Sequence, residues 1–351
     1  MTERGGGHRG QRLTLATVAQ IAGVSTATAS KVVNDRPDVA PNTRRRVAAV
    51  IDELGYESTT APRAIHVDPV VAVVFDSLAN SYSTQVLRGV LTAAGEYGVD
   101  IVVEVVSEHS PTSGPKPLSA QWLRTVAHKG WKGVLAVTTE VTAGVVASSR
   151  KAGVHMVAID PPNALDDSIV SVGSTNFIGG SQATDHLIDL GHRRIGVAAG
   201  PSGSPVARER LHGFRSALEA AELPCDESLI VHGDFEYPAG VRMGTALLSR
   251  SEPPTAIIAG CDATALGILE SARRLGVRVP QDLSVVGYDD TPAALSSAPP
   301  LTTVRQPMSS VGRVALRNLF LQNAGEAPAS HHIQLATTLV VRDSTAPPSG
   351  S

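Results

Sequence analysis

The stretch from Thr17 to Asn34 constrains this chain more than any other. Val18, Ala19 and Ala22 are small or apolar residues at helical spacing, and Gly23 follows where a chain must turn sharply. Glycine has no Cβ and takes a positive φ without strain. Ser25 then stands as a candidate N-cap, its hydroxyl able to accept an orphan amide of the next helix. That second helix divides into a small polar face (Thr26, Thr28, Ser30, Lys31) and an apolar face (Ala29, Val32, Val33). Two short helices around a glycine turn, the second exposing compact hydrogen-bonding groups and a cation, form a helix-turn-helix.

The rest of the chain is organised behind this head. Net charge is only −3, but residues 12–46 hold six cations (Arg12, Lys31, Arg36, Arg44, Arg45, Arg46) against two anions (Asp35, Asp38), a local +4. A basic head on an acidic body suits a head that meets phosphate. After the loop, Pro41 suits a first helical turn, and Val47, Val50, Ile51 and Leu54 form the stripe of a third helix. Residues 57–69 are a Ser-, Thr-, Ala- and Pro-rich linker. From Val70, apolar strands alternate with amphipathic helices: strands at Val70–Phe75, Asp100–Val106, Gly133–Val137, His155–Ile159, Arg194–Ala198, Ala256–Ala259 and Leu283–Val286. This alternation predicts doubly wound parallel sheets with right-handed crossovers. The body exceeds the usual size of one compact domain, so two lobes of similar fold are expected. Ser344–Ser351 is expected to be a loose tail.

The head resembles that of LacI/GalR-family transcription regulators, whose pattern is V-A-x-x-A-G-V-S-x-x-T-x-S-x-x-x-N. Val18, Ala19, Ala22, Gly23, Val24, Ser25, Thr28, Ser30 and Asn34 match it without a gap. The body carries the resemblance further, in His186-Leu187 with Gly191-His192 and Ile195, in Ala207-Arg208 with Arg210 and Gly213-Phe214, in Val285–Asp290, and in Pro299–Val304 with Gln306. It covers about residues 13–343. The implied fold is α/β: a helix-turn-helix domain at 13–57, a hinge at 58–69, and a bilobed, periplasmic-binding-protein-like domain for effector binding and dimerisation at 70–343.

The resemblance also implies function. Thr26, Ala27 and Lys31 are the base readers, and their chemistry agrees: Thr and Ala offer methyl contact to thymine, and Lys reaches guanine O6/N7. Thr17, Ser25, Thr28, Ser30, Asn34 and Arg44 are expected as phosphate or capping groups. Ile65 falls on the family's minor-groove wedge position; an apolar wedge can kink a base step. Pro62 departs from the family there, since inside a helix it would cost roughly 3 kcal/mol. One such head reads few base pairs, so a homodimer at least, on near-palindromic operator DNA, is expected.

Ligands of doubly wound sheets sit beyond the carboxyl ends of strands. Asp160, Arg208, Phe235 and Asp289 are expected there by resemblance, with Asp76, Asn80, Tyr82 and Gln306 as further candidates. Carboxylates accept from neighbouring sugar hydroxyls and Arg donates in a fixed fork, so the expected effector is a mono- or disaccharide. Cys261 stands where the family often has Asn, and Val172 where it is frequently aromatic. There is no G-x-S-x-G, H-E-x-x-H or Walker sequence; His331-His332 is a weak metal signal. No enzyme activity, cofactor or metal is therefore expected. Gly5, Gly7 and Gly10 match a dinucleotide fingerprint only by chance, because no strand precedes them. Two cysteines, no apolar leader and no long apolar run fit the cytoplasm and no membrane. The expected function is repression of carbohydrate-utilisation genes, relieved by a bound sugar; the alternative is a solute-binding protein with no transcriptional role.

Overall fold

The computed structural model describes residues 14–33, 36, 38–54, 69–106, 117–165 and 168–349. It divides into two compact units, Met1–Val67 and Asp68–Ser351.

The first unit holds α1 (Leu15–Ile21), α2 (Thr26–Val33) and α3 (Pro41–Leu54). Thr14 Oγ1 caps α1, accepting from Thr17 N at 3.3 Å. Gly23 takes φ +62° in the turn. Ser25 Oγ accepts from Thr28 N at 3.0 Å, the cap expected for α2. The apolar stripes of the three helices meet in one small core of Val18, Ala19, Ala22, Ala29, Val47 and Val50. Asn34, Pro62, Ile65 and the expected hinge helix lie outside the described residues.

The second unit opens with β1 (Val70–Phe75), α4 (Ser81–Tyr97), β2 (Asp100–Val105), α5 (Ala120–His128), β3 (Gly133–Val137), α6 (Ala143–Ala152), β4 (Met156–Ile159) and β5 (Val170–Ser174). There follow α7 (Asn176–Asp189), β6 (Ile195–Ala199), α8 (Pro205–Ala220), β7 (Ile230–His232), α9 (Tyr237–Leu248), β8 (Ala256–Ala259), α10 (Asp262–Leu275) and β9 (Ser284–Asp289). The chain ends through α11 (Pro292–Ser296), β10 (Thr302–Arg305), α12 (Met308–Asn323), β11 (His332–Leu335) and β12 (Thr338–Val340).

These strands build two six-stranded sheets, one per lobe, in the orders β11-β5-β4-β3-β1-β2 and β12-β10-β9-β8-β6-β7. Every pair is parallel except β10–β12. Each sheet is buried on both faces, as its near-continuous Val, Ile, Leu and Ala runs require. In lobe 1, α4 and α12 cover one face, and α5 and α6 the other. In lobe 2, α9 and α10 cover one face, and α7 and α8 the other. The chain passes between sheets three times, after β5, after β10 and between β11 and β12. Helix α7 therefore follows a lobe-1 strand but packs on lobe 2, and α12 does the reverse.

Register aligns the strand ends. Phe75 pairs with Val137, and Val137 with Ile159, so the loops after β1, β3 and β4 leave lobe 1 at one level. Residues 344–346, expected to be part of a loose tail, are instead fixed to lobe 2. Ser344 is buried; its Oγ accepts from Thr302 N at 2.8 Å and donates to Val285 O at 2.6 Å. His192 Nε2 lies 3.0 Å from Ala346 O. A polar Pro/Ser composition gave no sign of these backbone pairings.

Helix pairs in both lobes cross on glycines. In lobe 1 a Cβ at Gly89 of α4 would strike the backbone of Ser309 on α12, and one at Gly312 would strike Val86. Gly95, on the same α4, faces open space. The same substitution should thus have opposite effects on one helix. Gly89→Ala should destabilise the protein by roughly 1–3 kcal/mol through overpacking. Gly95→Ala should stabilise it by about 0.4–1 kcal/mol, because a flexible residue leaves a helix interior. Urea unfolding of both variants measures the contrast.

Candidate functional site

The second unit holds one carboxylate at the carboxyl end of a central strand in each lobe, Asp160 after β4 and Asp289 at the end of β9. From lobe 1, Asp160 follows β4 with φ +41°. Gly173 on neighbouring β5 leaves room for its carboxylate. Tyr82, in the first turn of α4, donates its hydroxyl to Asp160 Oδ2. From lobe 2, Asp289 ends β9 with φ +116° and is 8% exposed. Gln306 Nε2 donates to Asp289 Oδ1 at 2.6 Å. Non-glycine residues at positive φ cost on the order of 1–3 kcal/mol each and cluster at functional sites. Of the three carboxylates expected from the sequence, Asp160 and Asp289 carry this strain and Asp76 does not.

The arginine brought to the site is Arg210, not Arg208. Its guanidinium carbon lies 3.7 Å from the centre of the Tyr288 ring and 5.7 Å from that of Phe235. Its Nε donates to Asn176 Oδ1 at 2.9 Å and its Nη1 to Gly260 O at 2.5 Å. Arg208 is exposed on the same helix. The reason is helical phase. Helix α8 starts at Pro205, so Arg208 lies inside it rather than in the preceding loop. Two residues of helix turn the side chain by about 200°. Arg210 falls beside the buried stripe of Ala207, Leu211 and Phe214, and Arg208 falls outside it.

Phe235 lies over Gly200 and Gly260, neither of which leaves space for a Cβ beneath the ring. The other candidates have local partners. Asp76 Oδ1 accepts from Ser77 N at 2.7 Å and from Thr138 Oγ1 at 2.5 Å, tying the loops after β1 and β3. Asn80 caps α4, accepting from Ser83 N at 2.8 Å. Val172 is buried in the lobe-1 core. Cys261 is a buried N-cap of α10, and burial pushes its thiol up to about 12.

Sequence reasoning missed Arg210, Tyr288, Asn176 and Asp262. Asp262 opens α10, is 1% exposed, and accepts from Thr291 N and Thr303 Oγ1 at 2.6 Å each. A helix N-terminus favours such an anion. Burial raises the carboxyl of Asp289, the Arg210 charge opposes this, and the Asp262 charge adds to it. Burial likewise pushes Asp160 up to about 6, against the Tyr82 hydrogen bond and the Arg210 charge. Tyr82, Asp160, Arg210 and Asp289 thus sense one another although they come from both lobes. Among the described residues no cluster of His, Cys, Asp or Glu suits a metal, and no helix is long and apolar enough to cross a membrane.

In the head, Thr26 and Ala27 are exposed at the start of α2. Thr17 Oγ1 lies 3.0 Å from Thr14 Oγ1, and Ser25 Oγ lies 2.8 Å from Thr28 Oγ1. Arg44 donates to the carbonyl of Arg36. Lys31 Nζ is ion-paired with Asp38 Oδ2 at 2.6 Å.

A three-helix head with a helix-turn-helix, joined in sequence to a two-lobed α/β unit, is the architecture of a DNA-binding regulator. The profile described as bacterial regulatory proteins, lacI family, matches residues 14–58, and a periplasmic binding protein-like domain matches residues 184–345. The HTH-type transcriptional regulator CelR of Thermobifida fusca is 36% identical, over 96% of this chain and 99% of its own. Catabolite control protein A of Priestia megaterium is 32% identical over 95% and 99%. Among solved structures, a CelR–cellobiose complex superposes with TM-score 0.70 at 34% identity, over 95% of this chain and 100% of that one. A lac repressor dimer bound to operator and the anti-inducer ONPF gives 0.70 at 28%, over 96% and 100%. The chain belongs to the LacI family of transcriptional regulators and is not an enzyme.

The raised carboxyl of Asp160 predicts a signed pH effect. A group that holds its proton more tightly folded than unfolded stabilises the fold below its unfolded value, and that stability fades as pH rises through its folded value. Wild type should therefore lose stability relative to Asp160→Asn as pH rises from about 4 to about 6. Urea midpoints of both proteins across that range measure the difference.

Proposed function

We propose that this regulator is a repressor of carbohydrate-utilisation genes. It binds a near-palindromic operator as a homodimer and is released when a mono- or disaccharide enters between the lobes. The observation that carries the reading is the convergence of Asp160 and Asp289, one from each lobe, on Arg210, which itself lies 5.7 Å from the centre of the Phe235 ring. Two carboxylates, one guanidinium fork and one aromatic face suit the hydroxyls and C–H face of a sugar ring. Because these groups come from both lobes, a sugar bonded to all of them favours one lobe arrangement over others. The similarity to a cellobiose-bound regulator over nearly the whole chain makes a β-linked glucose disaccharide the first candidate.

In the head, Thr26, Ala27 and Lys31 are proposed to read bases, with Thr17, Ser25, Thr28, Ser30 and Arg44 on phosphate or in caps. Asp160 and Asp289 accept from sugar hydroxyls, Arg210 donates, and Tyr82 and Gln306 orient the two carboxylates. Localisation to the cytoplasm follows from the need to meet the chromosome.

The test is a gel shift on the operator duplex that the protein selects from a random-sequence pool, with and without cellobiose, and then with a panel of mono- and disaccharides. The expected result is weaker operator binding with at least one sugar. No effect from any sugar overturns the induction reading, and tighter binding makes the sugar a corepressor instead. Arg210→Lys removes the fork and should weaken the active sugar by roughly 10- to 100-fold, as loss of a charge-assisted bond does. Operator affinity without sugar should stay within about twofold, and Arg208→Ala should leave the sugar response at wild-type level.

A further inference from the structure

Lys31 is the cation that α2 presents at its C-terminal half. Its Nζ lies 2.6 Å from Asp38 Oδ2, seven residues further on, in the turn that leads into α3. Both side chains stand about half exposed, at 50% and 57%, so the pair closes over open surface. Neither residue belongs to the small core of the head. Exposed ion pairs contribute little to stability. The Lys31 hydrogen bond nevertheless holds the Asp38 carboxyl below its usual range, with the Arg36 charge adding a minor pull. The consequence of this pair therefore lies in where it keeps charge on the DNA-facing helix.

We propose that Asp38 is a specificity-determining residue of the head, withholding Lys31 from duplexes that lack a matching base edge. The proposal rests on the reading that Lys31 contacts bases. The argument is an exchange. To bind any duplex through Lys31, the protein must break the contact with Asp38 and bring a carboxylate towards a polyanion. On random DNA the ammonium gains only a phosphate in return. At a guanine it gains two acceptors, O6 and N7, in the major groove. The exchange is compensated at the operator and uncompensated elsewhere. Asp38 thus weakens binding to all DNA, and to random DNA more.

The experiment measures affinity for the selected operator and for a random duplex of equal length across a salt series, using the full-length protein. Asp38→Asn keeps the shape and removes the charge. It should tighten random DNA by about tenfold and the operator by no more than about threefold, with a random-DNA salt slope steeper by about 1, as one more phosphate contact gives. In the Lys31→Ala background, Asp38→Asn should give no such gain. Equal tightening on both duplexes, or a gain that survives loss of Lys31, would show Asp38 to be only one more surface anion and overturn the proposal. Equal losses on both duplexes from Lys31→Ala alone would overturn the base-reading role beneath it, and the proposal with it.

Discussion

Two of the three passages between the lobes are bonded to each other, through Thr175 after β5 and Thr337 before β12. Thr337 N donates to Thr175 Oγ1 at 3.0 Å, and the two hydroxyl oxygens lie 3.0 Å apart. Thr175 N donates to Leu335 O at 3.0 Å. A hydrogen bond contributes only about 0.5–1.5 kcal/mol net, but a buried polar group left without one costs more. This pairing keeps the two crossings in step. The third crossing carries Gln306, whose amide reaches Asp289. The third crossing and the candidate binding site therefore share a side chain, and a ligand that bonds Asp289 acts on a carboxylate already tied to a crossing segment.

The exchange of helices strengthens that link. Helix α7 begins one residue after Thr175, and its first residue, Asn176, accepts from Arg210. The crossing residue Thr175 is thus followed directly by the acceptor of the Arg210 guanidinium. The electrostatics have the same character. Asp160, Asp262 and Asp289 are all raised by burial, and Arg210 opposes the rise at Asp160 and Asp289. Such a site holds more acceptors than donors, which suits a neutral ligand rich in hydroxyl donors better than an anion.

The sequence made the head legible because its signals are local. A cap at Ser25, a turn at Gly23 and stripes at Val18/Ala22 and Val47/Val50 fall within one helix-turn-helix and its neighbour. Strands β1, β3, β4, β6, β8 and β9 were legible because parallel strands buried on both faces read as apolar runs; β5 and β10, although internal, were not, since Ser, Gly and Thr break their runs. The edge strands β7, β11 and β12 were not, being three or four residues long and only partly buried. The return of α12 to lobe 1 is a fact of topology that no local pattern encodes. Among the site residues, Asp160 and Asp289 announced themselves by following strands. Arg210 was hidden beside Arg208, and only the phase of the buried stripe on α8 separates them. The fixed tail was missed because Ser344 is held through backbone and hydroxyl bonds.

The central claim is that sugar occupancy and operator grip are two readings of one equilibrium. Thermodynamic linkage makes that coupling reciprocal. The direct measurement is calorimetric titration of the active sugar, cellobiose first, into the free protein and into its operator complex. The account predicts that operator weakens the sugar by the same factor by which the sugar weakens operator. A sugar that binds the free protein and the operator complex with equal affinity would contradict it.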